Sequence, residues 1–176
     1  MTAPSPLRLA VLTTGGTIEK TYDETDGSLR NVRSVLDEIL RGLRLPDLTI
    51  DHVPVMSKDS LDMTPSDRAR IVEAVRAALV DHDGVVVVHG TDTLAETGAA
   101  LHEALGGPRR PVVLTGAFRP FEFRDTDATQ NVTEALFAAR TLAPGVYAVL
   151  HGRPLAFPGV SKDRSRGTFV HRSDAG

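Results

Sequence analysis

Five short apolar runs, each running into polar or glycine-rich residues, constrain this chain more than any other feature. They are Leu7 to Thr13, Leu48 to Val55, Val85 to His89, Val112 to Thr115 and Val146 to His151. Runs this short and this dense in Val, Leu and Ile read as strands buried on both faces. Helical patterns lie between them. Thr64-Pro65-Ser66-Asp67 supplies an N-cap, a proline at the first helical position and a carboxylate in the first turn. Ile71, Val72, Val75 and Leu79 then mark one apolar face, and weaker helical patterns cover Val32 to Leu43, Leu94 to Leu105 and Asp127 to Leu142. Strands alternating with helices in this way predict a three-layer α/β/α fold around a mostly parallel sheet. The 176 residues fit one domain, 1–176, with tails expected at 1–6 and 171–176.

Composition removes several functions. A net charge of -3 lacks the basic footprint of a nucleic-acid binder. Cysteine is absent, which excludes disulfides, thiolate metal sites and cysteine nucleophiles. The 6 histidines show no paired ligand spacing, so no metal is expected. No apolar run approaches the length of a membrane span, and the first residues carry no signal-peptide pattern, so the expected location is cytoplasmic. Asn131-Val132-Thr133 matches a glycosylation sequon that this setting would leave unused.

Polar clusters follow the strands in a regular way. Thr14-Gly15-Gly16-Thr17 follows the first, Ser57-Lys58-Asp59-Ser60 the second, His89-Gly90-Thr91-Asp92 the third and Thr115-Gly116-Ala117 the fourth. All lie at carboxyl ends of strands, the edge where open α/β sheets bind ligands. The first could be only a tight turn, but it matches neither phosphate-loop nor dinucleotide spacing. Its paired glycines allow a substrate close to the backbone, and Thr17 presents a hydroxyl beside them. Thr91, Asp92 and Thr93 could cap the helix that follows, yet three candidates exceed what capping requires. Ser60 has no structural explanation in the sequence. Lys162 sits among other charges, where a lysine is usually just solvated. Glu19 to Arg30, with Tyr22 and Gly27, reads as a mobile loop or lid.

Taken in order, Thr14-Gly15-Gly16-Thr17-Ile18 and His89-Gly90-Thr91-Asp92-Thr93 resemble the bacterial-type L-asparaginase/glutaminase family. Asp59-Ser60-Leu61-Asp62-Met63-Thr64 resembles the family's substrate-binding serine segment, and Thr115-Gly116-Ala117-Phe118-Arg119-Pro120 its fourth-strand motif. The resemblance implies a Rossmann/flavodoxin-like N-terminal catalytic domain. It implies that Thr17 is the nucleophile, Tyr22 the lid tyrosine, and Thr91 and Lys162 a second catalytic pair. Asp92 would grip the α-amine of L-asparagine and Ser60 its α-carboxylate, with Gly16, Asp59 and Gly90 completing the substrate site. No cofactor or metal is implied. Longer family members carry a second domain after this lobe, and a neighbouring subunit's second domain adds an acidic contact, so the chain resembles the short single-domain asparaginases.

The expected activity is therefore hydrolysis of L-asparagine to L-aspartate and ammonia, with little glutaminase activity, by a homo-oligomer (dimer or tetramer). Backbone N–H groups around Gly16 and Thr91 would stabilise the oxyanion. Two other readings stand beside it: an asparaginase-like lobe of an amidotransferase complex, and a non-catalytic amino-acid-binding protein.

Overall fold

The computed structural model describes residues 6–31 and 34–172. The expected tail residues 1–5 and 173–176 lie outside these. Ten strands and four α-helices are described: β1 (Leu7–Gly15), β2 (Lys20–Asp23), β3 (Ser28–Asn31), α1 (Leu36–Arg41), β4 (Leu48–Lys58), α2 (Pro65–Asp81), β5 (Gly84–Val88), α3 (Leu94–Leu105), β6 (Pro111–Thr115), α4 (Ala128–Thr141), β7 (Gly145–Leu150), β8 (Arg153–Ala156), β9 (Val160–Asp163) and β10 (Thr168–His171). All five expected strands are present. The main sheet runs β4-β1-β5-β6-β7-β8, parallel except for β8, which pairs antiparallel with β7.

The strands are apolar on both sides because both sides are covered. Along β1, Ala10 and Leu12 pack with Ile71, Val75, Leu94 and Leu101 of α2 and α3. Leu9 and Val11 face the other way, onto Leu36 and Ile39 of α1 and Val132, Ala135 and Leu136 of α4. Burying such side chains contributes roughly 1.5–3 kcal/mol each, enough to dictate register. The strongest helix signal in the sequence is realised as read. Thr64 Oγ1 accepts from the Asp67 N–H and Asp67 Oδ2 accepts from the Thr64 N–H, a reciprocal capping box with Pro65 in the first turn. Among the described residues no helix is long and apolar enough to cross a membrane.

Three expectations are corrected. Glu19 to Arg30 is not a loop: Lys20–Asp23 and Ser28–Asn31 pair as an antiparallel hairpin, with Tyr22 opposite Leu29. Its turn is closed by Asp23 and Asp26, which accept from the N–H groups of Thr25 and Ser28. The tail proposed from residue 171 begins too early, since His171 pairs with Val160 and the Arg172 N–H donates to the Gly159 carbonyl. Of the helix read over Val32 to Leu43, residues 32–33 lie outside the described residues, and the described part is helical over Leu36–Arg41. Asn131 of the sequon is fully buried, donating to the Gly116 carbonyl and to Asp127.

Candidate active site

The strand order places the sheet's topological switch point at β1 and β5. Here the chain leaves β1 for one side of the sheet and returns on the other, opening a crevice at the carboxyl ends. The polar clusters after β1, β4 and β5 meet there. Gly16 has φ +86° and ψ -177°, a region that side-chain-bearing residues avoid. Its backbone lies so close to the β5 loop that a Cβ on Gly16 would stand 2.4 Å from the Gly90 Cα. A Cβ on Gly90 would in turn stand 2.5 Å from the Ser60 Oγ. Gly16, Gly90 and Ser60 thus form a stack that only glycine's missing side chain permits, and it holds three loops together. Thr14 Oγ1 reinforces the stack by donating to the Val88 carbonyl at 2.9 Å.

Thr17 opens a single 3-10 turn, Thr17–Glu19, immediately after this contact. It is partly exposed, and its hydroxyl has no hydrogen-bond partner among the described residues. The Gly16 N–H, expected to face a substrate, instead donates to the Lys58 carbonyl at 2.9 Å. It cannot serve as an oxyanion donor without breaking the loop-to-loop bond that seats the turn. The amides of Thr17 and Thr91 carry no such backbone bond among the described residues.

Thr91 and Asp92 do not cap α3. The N-cap residue is Thr93, whose hydroxyl donates to the Ser60 carbonyl at 2.8 Å rather than capping the helix. Lys162, brought in by β9 from far along the chain, donates to Thr91 Oγ1 at 2.8 Å and to Asp92 Oδ1 at 2.9 Å. Its ammonium also lies 4.7 Å from the centroid of the Phe118 ring, an attractive cation–π arrangement. The lysine is therefore held rather than solvated. Burial is the largest single influence on Asp92 and opposes its ionisation. The hydrogen bonds and charges of Lys162 and Arg164 together outweigh it and hold the carboxyl below its usual range. Lys162 in turn favours the deprotonated form of the Thr91 hydroxyl.

The remaining expected residues are placed less centrally. Asp59 is engaged on both oxygens: Oδ1 accepts from the Leu61 N–H and Oδ2 from Lys20 at 2.7 Å. Ser60 is buried at the base of the stack. Tyr22 is 58% exposed on the hairpin, its phenolic oxygen 3.7 Å from where a Cβ would sit on Gly27. Its hydroxyl makes no hydrogen bond to Thr17 in this arrangement.

Several residues to which the sequence reading gave no role support the site. His89 is fully buried; its Nδ1 pairs with the Gly90 carbonyl and its Nε2 with Thr97 Oγ1, both at 2.8 Å. Asp127 accepts from the Phe118 and Arg119 N–H groups and pairs with His151, anchoring the loop that carries Phe118. Arg164 forms a second ion pair to Asp92. Two of these had a signal in the sequence: Arg164 lies two residues from Lys162, already a candidate, and His89 belongs to the motif that carries Thr91 and Asp92.

Burial pushes the His89 pKa down to about 4. Unfolded, the ring would titrate near 6.5, so between these values the unfolded chain binds a proton that the native state does not. Stability from this group is fully present above about pH 6.5 and is lost as pH falls towards 4, costing about 2 kcal/mol by pH 5. Urea unfolding at pH 7.5 and 5 should show that loss, and a His89→Gln variant should lack it; equal pH slopes in the two proteins would refute the assignment.

The sequence and fold recur in known proteins. The family model described as "Asparaginase, N-terminal" matches residues 8–173. The L-asparaginase of Thermococcus kodakarensis is 37% identical over 170 residues, covering 95% of this chain and 51% of that protein. L-asparaginase 1 of Escherichia coli K12 is 39% identical over 132 residues, covering 72% of this chain and 38% of the relative. One of the chains of the glutamyl-tRNA(Gln) amidotransferase of Thermoplasma acidophilum is 35% identical over 136 residues, 76% of this chain and 33% of the relative. The solved structure of the Thermococcus kodakarensis enzyme superposes with a TM-score of 0.84 at 36% identity, over 94% of this chain and 51% of that one. The chain spans about half, or less, of the curated relatives it matches.

Proposed function

The chain belongs to the asparaginase family, and from that premise we propose that it is an amidohydrolase converting L-asparagine to L-aspartate and ammonia. The observation that carries the proposal is Lys162 bonded at once to Thr91 Oγ1 and Asp92 Oδ1, across the crevice from the turn bearing Thr17. Asp92 takes the substrate's α-ammonium, and Ser60, with the amides around it, takes the α-carboxylate. Anchoring both ends fixes the side-chain amide carbon near Thr17, converting attack into an effectively unimolecular step. The Thr17 oxygen adds to that carbon, its proton passing through water or Tyr22 to the leaving nitrogen, and ammonia departs from the resulting ester. A water held by Thr91 Oγ1, which Lys162 polarises, then attacks the ester carbonyl, and the proton it loses passes to the departing Thr17 oxygen. Aspartate leaves.

For Tyr22 to take part, its hairpin must swing towards Thr17 when substrate binds, as lids do in many enzymes. Oxyanion stabilisation falls to the amides of Thr17 and Thr91 rather than that of Gly16. We take asparagine rather than glutamine as the substrate, a choice that turns on one methylene, worth about 1–3 kcal/mol in a fitted pocket. The similarity to an amidotransferase chain supports a second reading, in which the lobe releases ammonia to a partner.

Ammonia release by the purified chain, with L-asparagine and L-glutamine in parallel, separates these. Rapid release from asparagine supports the free enzyme. Silence on both from a folded protein refutes self-sufficient hydrolysis. Lys162→Met should lower turnover of asparagine about 10²–10⁴-fold, and a variant within a factor of two of the parent would remove Lys162 from the chemistry.

A further inference from the structure

Asp92 carries more positive charge than a carboxylate awaiting an ammonium requires. Its Oδ1 has Lys162 Nζ at 2.9 Å and the Arg164 guanidinium at 2.9 Å. An α-amino acid entering the site would bring a third cation to the same group. The two resident cations are not equivalent. Lys162 is only 13% exposed, is also bonded to Thr91 and rests on Phe118, so it cannot leave without dismantling the site. Arg164 is 71% exposed and is joined to the site through Asp92. It stands in the turn between β9 and β10, whose backbone is pinned by Asp163 Oδ1 accepting from the N–H groups of Ser165 and Arg166. The turn fixes where Arg164 starts, while its long side chain remains in water and free to move.

We propose that Arg164 is a displaceable counter-ion that occupies the ammonium position of Asp92 in the empty protein and so sets the affinity for α-amino acids. The proposal rests on the reading of Asp92 as the ammonium site. The entering ligand exchanges one ion pair for another, leaving Asp92 neutralised throughout. Because exposed ion pairs are weak, the exchange tempers affinity by a few-fold rather than blocking the site. A ligand of the same size without an α-ammonium does not displace Arg164 and gains nothing from its removal.

The test compares binding of L-aspartate and succinate, by calorimetry, to the parent chain and to Arg164→Gln. Expected is an about three- to fivefold lower Kd for L-aspartate in the variant, on the scale of one exposed ion pair, with no tightening for succinate. An unchanged or raised Kd for L-aspartate overturns the proposal, and so does equal tightening of both ligands. Failure of the wider reading looks different. If the parent binds L-aspartate but releases no ammonia from asparagine, the hydrolase reading fails while the Arg164 comparison is still decided. If neither protein binds L-aspartate, the assignment of Asp92 falls, and this inference with it.

Discussion

Thr17→Ala should leave the protein folded while cutting ammonia release from L-asparagine about 10⁴-fold or more, the scale of losing a nucleophile. The two halves of this expectation have separate causes. The Thr17 hydroxyl makes no hydrogen bond among the described residues and the residue is not fully buried, so its removal breaks no internal partnership. The stability change should stay within about 1 kcal/mol, as for ordinary partly exposed positions. In the reaction, by contrast, no other hydroxyl stands on the turn that Gly16 fixes against the β5 loop. Steady-state ammonia release and a urea melt on the same preparation check both halves. Near-normal turnover would exclude Thr17 as nucleophile, and an unfolded variant would show that the hydroxyl has a structural role not visible in its contacts.

The second large effect is expected at Gly16, where the fold and the site depend on one atom's absence. Gly16→Ala adds a Cβ 2.4 Å from the Gly90 Cα and 2.5 Å from its nitrogen, at φ +86°. Both neighbours are backbone, so no flexible side chain can yield. The conformational penalty and the overpacking together should cost about 3 kcal/mol or more. Relief by moving the turn would shift Thr17 by about an ångström, a displacement that can cost about 10²-fold in rate. Gly152→Ala isolates the two contributions. Gly152 also has positive φ, +76°, but nothing lies within 4 Å of its added Cβ. It should lose only the conformational part, about 1–2 kcal/mol, with turnover intact. Equal urea midpoints for the two variants would mean that the Gly16–Gly90 contact is not what holds the loops together.

Much of the architecture was legible along the chain because burial on both sheet faces leaves continuous apolar runs, and helix starts leave caps. Leu7 to Thr13 and Val85 to His89 could hardly be anything but inner strands, and Thr64 to Asp67 announced α2. The β2–β3 hairpin was not legible. Its cross-strand pair, Tyr22 and Leu29, is exposed on the hairpin, so no alternation of buried and exposed residues marked it. The short β8, β9 and β10 escaped for a related reason: each is four residues long and is held by its neighbours rather than by its own pattern.

The site divides along the same line. The glycine–threonine clusters at strand ends could be read locally, since each combines a backbone requirement with a hydroxyl or carboxylate that the turn alone does not need. Sequence order could also place them on one edge of a parallel sheet. Which loops touch was decided by the strand order, which puts β1 between β4 and β5 and brings Gly16, Ser60 and Gly90 within contact. Lys162 is the sharpest case. Nothing near it in sequence distinguishes it from a solvated lysine; its partners Thr91 and Asp92 are 71 and 70 residues away. The same holds for the Gly16 N–H, which looks free in sequence and is taken by Lys58 in space. Local chemistry is written in residue types and spacing, because caps, turns and buried strands need particular side chains at particular steps. Partnership across the chain is not, because a hydrogen bond depends on where the packed layers carry its two ends.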